Sequence, residues 1–252
     1  MPLISEITAY LDDFLSVAKI DDSSFNGLQV EGKEEIRKIA FAVDVGAEVF
    51  EKAKQENADM LIVHHGLFWN REDPRFAGAM KDRLKILISS NINLYAVHLP
   101  LDIHAEVGNN VELIRIAGAD ICGRFLSHGS DFVGAIGKFS TPQSVSRLAK
   151  ILENKLETKT QILGADREIS IVAAASGACG RDAIFEAKRA SADLLITGEK
   201  RDFYHLANDL GICVIFAGHH ASEQVGIWAL QKHLSQKFPN VECVYLKCPT
   251  GL

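Results

Sequence analysis

Long apolar runs are missing from this chain of 252 residues. No stretch approaches the roughly 18 consecutive apolar residues of a membrane-spanning helix, so the sequence predicts no membrane segment. The opening residues are not expected to be a secretory signal. The opening MPLISEITAYLDDFLSV has neither a basic start nor an unbroken apolar centre. Its Leu3, Ile7, Leu11, Phe14 and Leu15 recur at helical spacing and predict a surface helix. Cysteine is scarce: Cys122, Cys179, Cys213, Cys243 and Cys248 form an odd, scattered set without a C-x-x-C pair. That usage fits reduced thiols and a cytoplasmic location. Basic charge is not in excess either. The formal net charge is -6, with both signs interspersed, which does not suggest a nucleic-acid groove. Finally, the G-x-x-x-x-G-K-[ST] phosphate loop is absent. ASGACGRD (175 to 182) sets Gly177 and Gly180 ahead of a helix, and reads as a strand-to-helix turn before it reads as a phosphate site.

What the chain does have is alternation. Apolar runs such as KIAFAV, DMLIV, INLYAV, ISIVAAA, DLLIT and ICVIFAG are interleaved with helical patterns such as GAEVFEKAKQEN, AEVGNNVELIRIAG, RDAIFEAKRAS, KRDFYHLAND (200 to 209) and SEQVGIWALQKHLSQ. This order predicts an α/β fold with buried, mostly parallel strands. Two stretches resemble each other: FEKAKQENADMLIVHHG (50 to 66) and FEAKRASADLLITGEK (185 to 200). Each is followed by a helical stretch and then by a strand ending in His-x-x-x-acid. Two such matches in one order suggest a duplicated lobe. Between them FVGAIGKF reads as a strand, and TPQSVSRLAKILENKL as a helix with Thr141 as N-cap and Pro142 at its first position. We expect lobes over 1–125 and 126–252, with a loose boundary near 125, no low-complexity linker, and a C-terminal segment able to pack on the first lobe.

The chemistry sits at the strand ends. In VHHG, His64 and His65 close an apolar run just before a glycine. Neighbours on a continuing strand point to opposite faces, but where a strand ends both rings can enter one crevice, the usual place for ligands in open α/β sheets. The plainer reading is a capping histidine beside an exposed one. His98 and Asp102 follow the next strand; Pro100 biases Leu99 away from helical geometry, which places the pair on a loop. His219 and Glu223 follow a later strand, with ASEQ starting a helix. Imidazole and carboxylate together suit zinc, iron, manganese, cobalt or nickel. Six such donors exceed one four-coordinate site and suit two divalent metals sharing a bridging carboxylate and a water, with a mononuclear site the alternative.

Glu199 and His205 follow a strand end in TGEKRDFYH and are candidates to line the same crevice and shuttle protons. His220 reads as a neighbour of the site, and His104, His128 and His233 as solvated. Phe68 and Trp69 read as packing or as a stacking platform. The stripe Ile227, Leu230 and Leu234 reads as core, whereas Leu67, Phe68, Trp69 and Phe76, in a long polar loop, call for a cover.

Five stretches taken in order, FNGLQVEG (25 to 32), VHHGLFW (63 to 69), VHLPLD (97 to 102), ADLLITGE (192 to 199) and AGHHASE (217 to 223), resemble the bacterial GTP cyclohydrolase 1 type 2 homologs, relatives of the eukaryotic Nif-three-like proteins. The resemblance implies two similar α/β lobes, a dinuclear metal centre in the cleft between them, and a toroidal homohexamer. It places the metal ligands at His64, His65, His98, Asp102, His219 and Glu223. The function expected is metal-dependent hydrolysis of a purine-ring C–N, amide or phosphoester bond in a small molecule, nucleotides included. The alternative is a non-catalytic scaffold that binds or handles metal.

Overall fold

Asp59 and Asp193 occupy equivalent places in the two similar stretches, and the backbone around them is built alike. A computed structural model describes residues 1–199 and 203–251. In chain order its elements are α1 (Ile4–Phe14), β1 (Gly27–Val30), β2 (Lys38–Ala42), α2 (Ala47–Gln55), β3 (Met60–Val63), α3 (Gly78–Ser90), β4 (Asn93–Ala96), α4 (Leu99–Ile103), α5 (Asn109–Ala117), β5 (Asp120–His128) and β6 (Asp131–Ser144). There follow α6 (Val145–Leu156), β7 (Gln161–Leu163), β8 (Glu168–Ala175), α7 (Arg181–Arg189), β9 (Leu194–Thr197), α8 (Tyr204–Leu210), β10 (Cys213–Phe216), α9 (His219–Lys237) and β11 (Glu242–Tyr245).

The strands make two sheets. One has the order β1-β4-β3-β2-β11, parallel throughout except where β1 meets β4. The other has the order β5-β6-β8-β9-β10-β7. Its β8, β9 and β10 are parallel, while β5, β6 and β7 join antiparallel. The duplication is therefore the parallel three-strand heart of each sheet, β2-α2-β3-α3-β4 and β8-α7-β9-α8-β10. In the first, Asp59 Oδ2 accepts the amides of Arg37 and Lys38. In the second, Asp193 Oδ2 accepts those of Ser170 and Ile171. The helix exits match as well: Asn57 and Ser191 both take left-handed backbone angles, φ 54° and 61°.

Strands β3, β4, β9 and β10 are buried along their whole length, which explains why they read as unbroken apolar runs. Phe50, Ala53, Leu84 and Leu87 of α2 and α3 pack with Ala40, Leu61 and Leu94. Ala183, Ile184 and Ala207 of α7 and α8 pack with Ala173, Leu195 and Val214. The stripe Ile227, Leu230 and Leu234 is wholly buried, as core should be.

The chain divides into two units, Met1–Leu101 with Ile227–Cys248, and Asp102–Gly226 with the tail from Pro249. The division falls near residue 101 and not near 125, because β5 is hydrogen-bonded to β6 along most of its length. The helix expected from Thr141 starts later. Residues 141–144 continue β6, and Ser144 is the N-cap, its hydroxyl accepting from the Arg147 amide. Pro142 thus lies in a strand, at a break in register between Lys138 and Gln143 where no ladder amide is needed. Of the helix expected over 200–209, Tyr204 onward is α8; residues 200–202 lie outside the described residues.

Candidate metal centre

The first group of donors belongs to the first unit. At the end of β3 the amides of His64 and His65 both donate to Val43 O, at 3.0 and 2.9 Å. Two successive amides on one carbonyl break the alternation of a strand, so both side chains serve one site. Their ring centroids are 4.7 Å apart, and that of His98 lies 5.1 and 5.6 Å from them. Gly66 follows because nothing larger fits: a Cβ there would lie 2.4 Å from Gln29 Nε2 and 2.6 Å from Ala96 Cβ.

Each ring is fixed through Nδ1. His64 Nδ1 meets Val97 O at 2.9 Å, His65 Nδ1 meets Asp44 Oδ1 at 2.7 Å, and His98 Nδ1 meets Asp22 Oδ1 at 2.9 Å. All three partners accept, so Nδ1 carries the proton and Nε2 is the ligand atom. Asp22 is itself held, taking the amides of Ser24 and Leu99 and the side chain of Asn26. Burial raises its pKa, but the hydrogen bond and charge of His98, with the bonds from Asn26 and Ser24, outweigh this and bring it to about 2. The ligand atoms of His64, His65 and His98 lie within 4.8 Å of one another. Trp69, its Nε1 donating to Gly66 O, places its ring 5.0 Å from that of His98.

The second group belongs to the second unit. His219 opens α9, and Glu223 follows one turn later with Oε2 3.2 Å from His219 Nε2. On the other side of the ring, Glu199 Oε1 meets Nδ1 at 2.6 Å. The Glu223 hydrogen bond is the largest cause raising the His219 pKa. Burial opposes it, and the Glu223 charge and Glu199 reinforce it, to reach about 9. Gly177, after β8, brings the backbone against this pair. Its carbonyl accepts the Glu199 amide at 2.8 Å, and its amide donates to Ser222 Oγ at 2.9 Å. Asp102 is buried, and its Oδ1 accepts Asn109 Nδ2 at 2.8 Å and Ser176 Oγ at 3.0 Å.

Several expectations change. Asp102 lies on the short helix α4 and not on a loop. Pro100 is tolerated because it sits in the first turn, where amides have no intrahelical acceptor. His233 is not solvated: it stacks on Phe14 with centroids 4.1 Å apart and meets the Tyr10 hydroxyl through Nε2. His104 and His128 are half-buried, and His104 Nδ1 accepts the amides of Glu106 and Val107. His220 is buried beside the pair. His205 is exposed on α8, and among the described residues no hydrogen bond ties it to Glu199 or His219. The reading of the sequence missed Asp22, Asp44, Ser176, Gly177 and Asn109. Asp44 and Ser176 follow strands β2 and β8, so a search for polar residues at every strand end, beyond histidine-rich ones, would have found both.

The donor set fits a transition metal. Three imidazoles are held in one tautomer by carbonyl or carboxylate acceptors, the arrangement typical of metal-bound histidine, and a fourth stands between two carboxylates.

The chain is similar to known proteins along nearly its whole length. The Duf34/NIF3 (NGG1p interacting factor 3) family model matches residues 2–250. The chain is 45% identical to a GTP cyclohydrolase 1 type 2 homolog of Pyrococcus abyssi, covering 98% of each chain. It is 34% identical to one of Pseudomonas aeruginosa, covering 98% of this chain and 97% of that one. Among solved structures it resembles TTHA1606 of Thermus thermophilus, with a TM-score of 0.84 and 36% identity over 99% of this chain and 100% of that one. It also resembles reduced HcgD of Methanocaldococcus jannaschii, with a TM-score of 0.83 and 25% identity over 98% of both. With a match over nearly its whole length, the chain belongs to the Duf34/NIF3 family.

Proposed function

We propose that this protein is a metal-dependent hydrolase in which His64, His65, His98, Asp102, His219 and Glu223 together hold two divalent transition metal ions. The observation that carries the reading is the cluster of three imidazoles, each oriented by an acceptor on Nδ1. A structural site needs no open position, but six donors around two metals leave room for water and substrate. Bound there, the metals supply Lewis-acid activation of a water near neutral pH. The chain's own residues do the rest. Asp22 and Asp44, accepting from Nδ1, keep the rings of His98 and His65 aimed. Asp102 and Glu223 offset positive charge. Glu199, on His219 Nδ1, is placed to hold or pass a proton there. The substrate class is a small molecule with a hydrolysable purine-ring C–N, amide or phosphoester bond, and a nucleotide satisfies it.

We further propose a cytoplasmic homohexameric ring. Phe25 and Phe76 are 54% and 64% exposed on loops flanking the three histidines, and a neighbouring subunit would cover them. No helix of the described residues is long and apolar enough to cross a membrane.

Turnover of GTP and of amide and phosphoester panels by metal-loaded protein, against a Glu223→Ala control, tests the hydrolase reading. Metal-dependent turnover lost in the control supports it. Background rates for both proteins refute it, and rapid reversible metal loading without turnover then assigns metal handling instead. Light scattering tests the ring, with an expected mass six times 27.6 kDa.

A further inference from the structure

Beside His219 lies a cavity of about 370 Å³ lined by Thr158, Lys159, Gln161, Phe216, Glu199 and His219, among others. That volume is in the lower part of the range for small-molecule sites, roughly 300–1,000 Å³. Its construction follows from the fold. β7 pairs antiparallel with β10, setting Gln161 opposite Phe216, three residues before His219. The segment entering β7 brings Thr158 and Lys159 to the same rim.

The lining is polarised. Phe216, 5% exposed and packed against Phe203, gives an apolar wall. Glu199 is committed to His219 at 2.6 Å. Among the described residues of the lining Lys159 is the one lysine; it is exposed and forms no salt bridge with another described residue. The carboxylate that feels its charge, Glu153, already accepts the amide and hydroxyl of Thr160. A lysine with a hydroxyl beside it, at the rim of a cavity that reaches a metal-ligand candidate, is suited to an anion.

We propose that this cavity binds the anionic end of the substrate, a phosphate or carboxylate group, through Lys159 and Thr158, with the bond to be hydrolysed lying toward His219. The substrate is thereby narrowed to a compact anion whose uncharged portion rests on Phe216 and whose polar edge meets Gln161. This rests on the hydrolase reading for the direction of the bond, but not for the binding itself.

The test titrates full-length protein with methyl phosphate, acetate and neutral acetamide, followed by calorimetry. It is run on metal-loaded protein and on protein stripped with a chelator, so that anions bound by metal are told apart from anions bound by Lys159. Wild type should prefer one anion over acetamide by about tenfold or more in both forms, as a charge-assisted hydrogen bond implies. Whichever of methyl phosphate and acetate binds more tightly identifies the group. Lys159→Ala should lose that preference, Lys159→Arg should keep it within about threefold, and Thr158→Val should fall between. Unchanged affinity in Lys159→Ala, or no anion preference in the stripped wild type, overturns the proposal even if the protein turns out to hydrolyse something. Anion binding that depends on Lys159 in a protein without turnover upholds the site and refutes only the hydrolase.

Discussion

Replacing Gly177 by alanine separates the needs of the fold from those of the site. Its φ is +59°, and a Cβ would lie 2.1 Å from Glu223 Oε1, 3.0 Å from Glu223 Cδ and 3.1 Å from His219 Nε2. Two costs follow. A left-handed backbone with a side chain costs about 1–2 kcal/mol, which in a domain of this size lowers the melting temperature by roughly 2–8 °C. The second cost falls on Glu223. Its carboxylate must retreat by over 1 Å to reach the ordinary contact of 3.4 Å or more. It is buried, yet its end can rotate, so the fold survives while the ligand position does not. Metal–ligand distances tolerate only about 0.2 Å, so the expected loss of metal affinity is at least the 10- to 100-fold seen when ligand orientation is lost. Scanning calorimetry and elemental analysis of the purified variant measure the two effects. Gly46→Ala is the control: its φ is −179° and nothing lies within 4 Å of a Cβ there. Full metal content in Gly177→Ala would refute the reasoning, because it would show that Glu223 can leave its place without consequence.

Asp22→Asn should lower metal affinity by about 10- to 100-fold, because His98 loses the carboxylate that fixes its tautomer; competition with a chelator of known affinity measures it. Glu223→Ala should empty the centre further than any single histidine variant, and Glu199→Gln should reduce turnover more than metal content; elemental analysis beside rate measurement checks both. Asp59 is stabilised as a carboxylate. Burial pushes its pKa up, but Lys33 and the amides of Arg37 and Lys38 outweigh burial and hold it below the ordinary value. That contribution is fully present above the unfolded pKa near 4 and is lost as pH falls through the lower folded value. Asp59→Asn should therefore lose stability at neutral pH, by about 1–3 kcal/mol for its severed hydrogen bonds, and show a weaker acid dependence, as urea titrations across pH 2–7 would report.

The legible part of the molecule was the part built from local pattern. Strands β3, β4, β9 and β10 read as continuous apolar runs because they are buried along their whole length, as are most of β2 and the second half of β8, and their helices carry an apolar stripe. The histidines stood out because two adjacent imidazoles break that pattern. The hidden elements lack such a signal. β1, β7 and β11 are three- or four-residue edge strands with mixed exposure, fixed by the partner they pair with. Asp22 orients His98 across 76 residues, and no spacing rule reaches that far. Gly177 looked like any glycine of a strand-to-helix turn, since what requires it is a carboxylate 46 residues later, found only once β8, β9 and α9 are assembled.

The duplication explains why the donors are scattered over 160 residues yet read as pairs. Each copy has two productive strand ends. In the first copy these are the exits of β3 and β4, where Val97 N donates to Val63 O and His64, His65 and His98 emerge. In the second they are the exits of β9 and β10, where Ala217 N donates to Thr197 O and Glu199 and His219 emerge. The hydrogen bonds of the frame repeat, but the side chains do not: His64-His65 in one copy stands where Gly198-Glu199 stands in the other. At these strand ends the first copy thus presents imidazoles, each with its acceptor already in place, and the second presents the Glu199 carboxylate on His219 Nδ1. Divergence between equivalent strand ends, on a frame whose hydrogen bonds stayed fixed, gives the two copies different chemistry: oriented imidazoles in the first, and an imidazole flanked by carboxylates in the second.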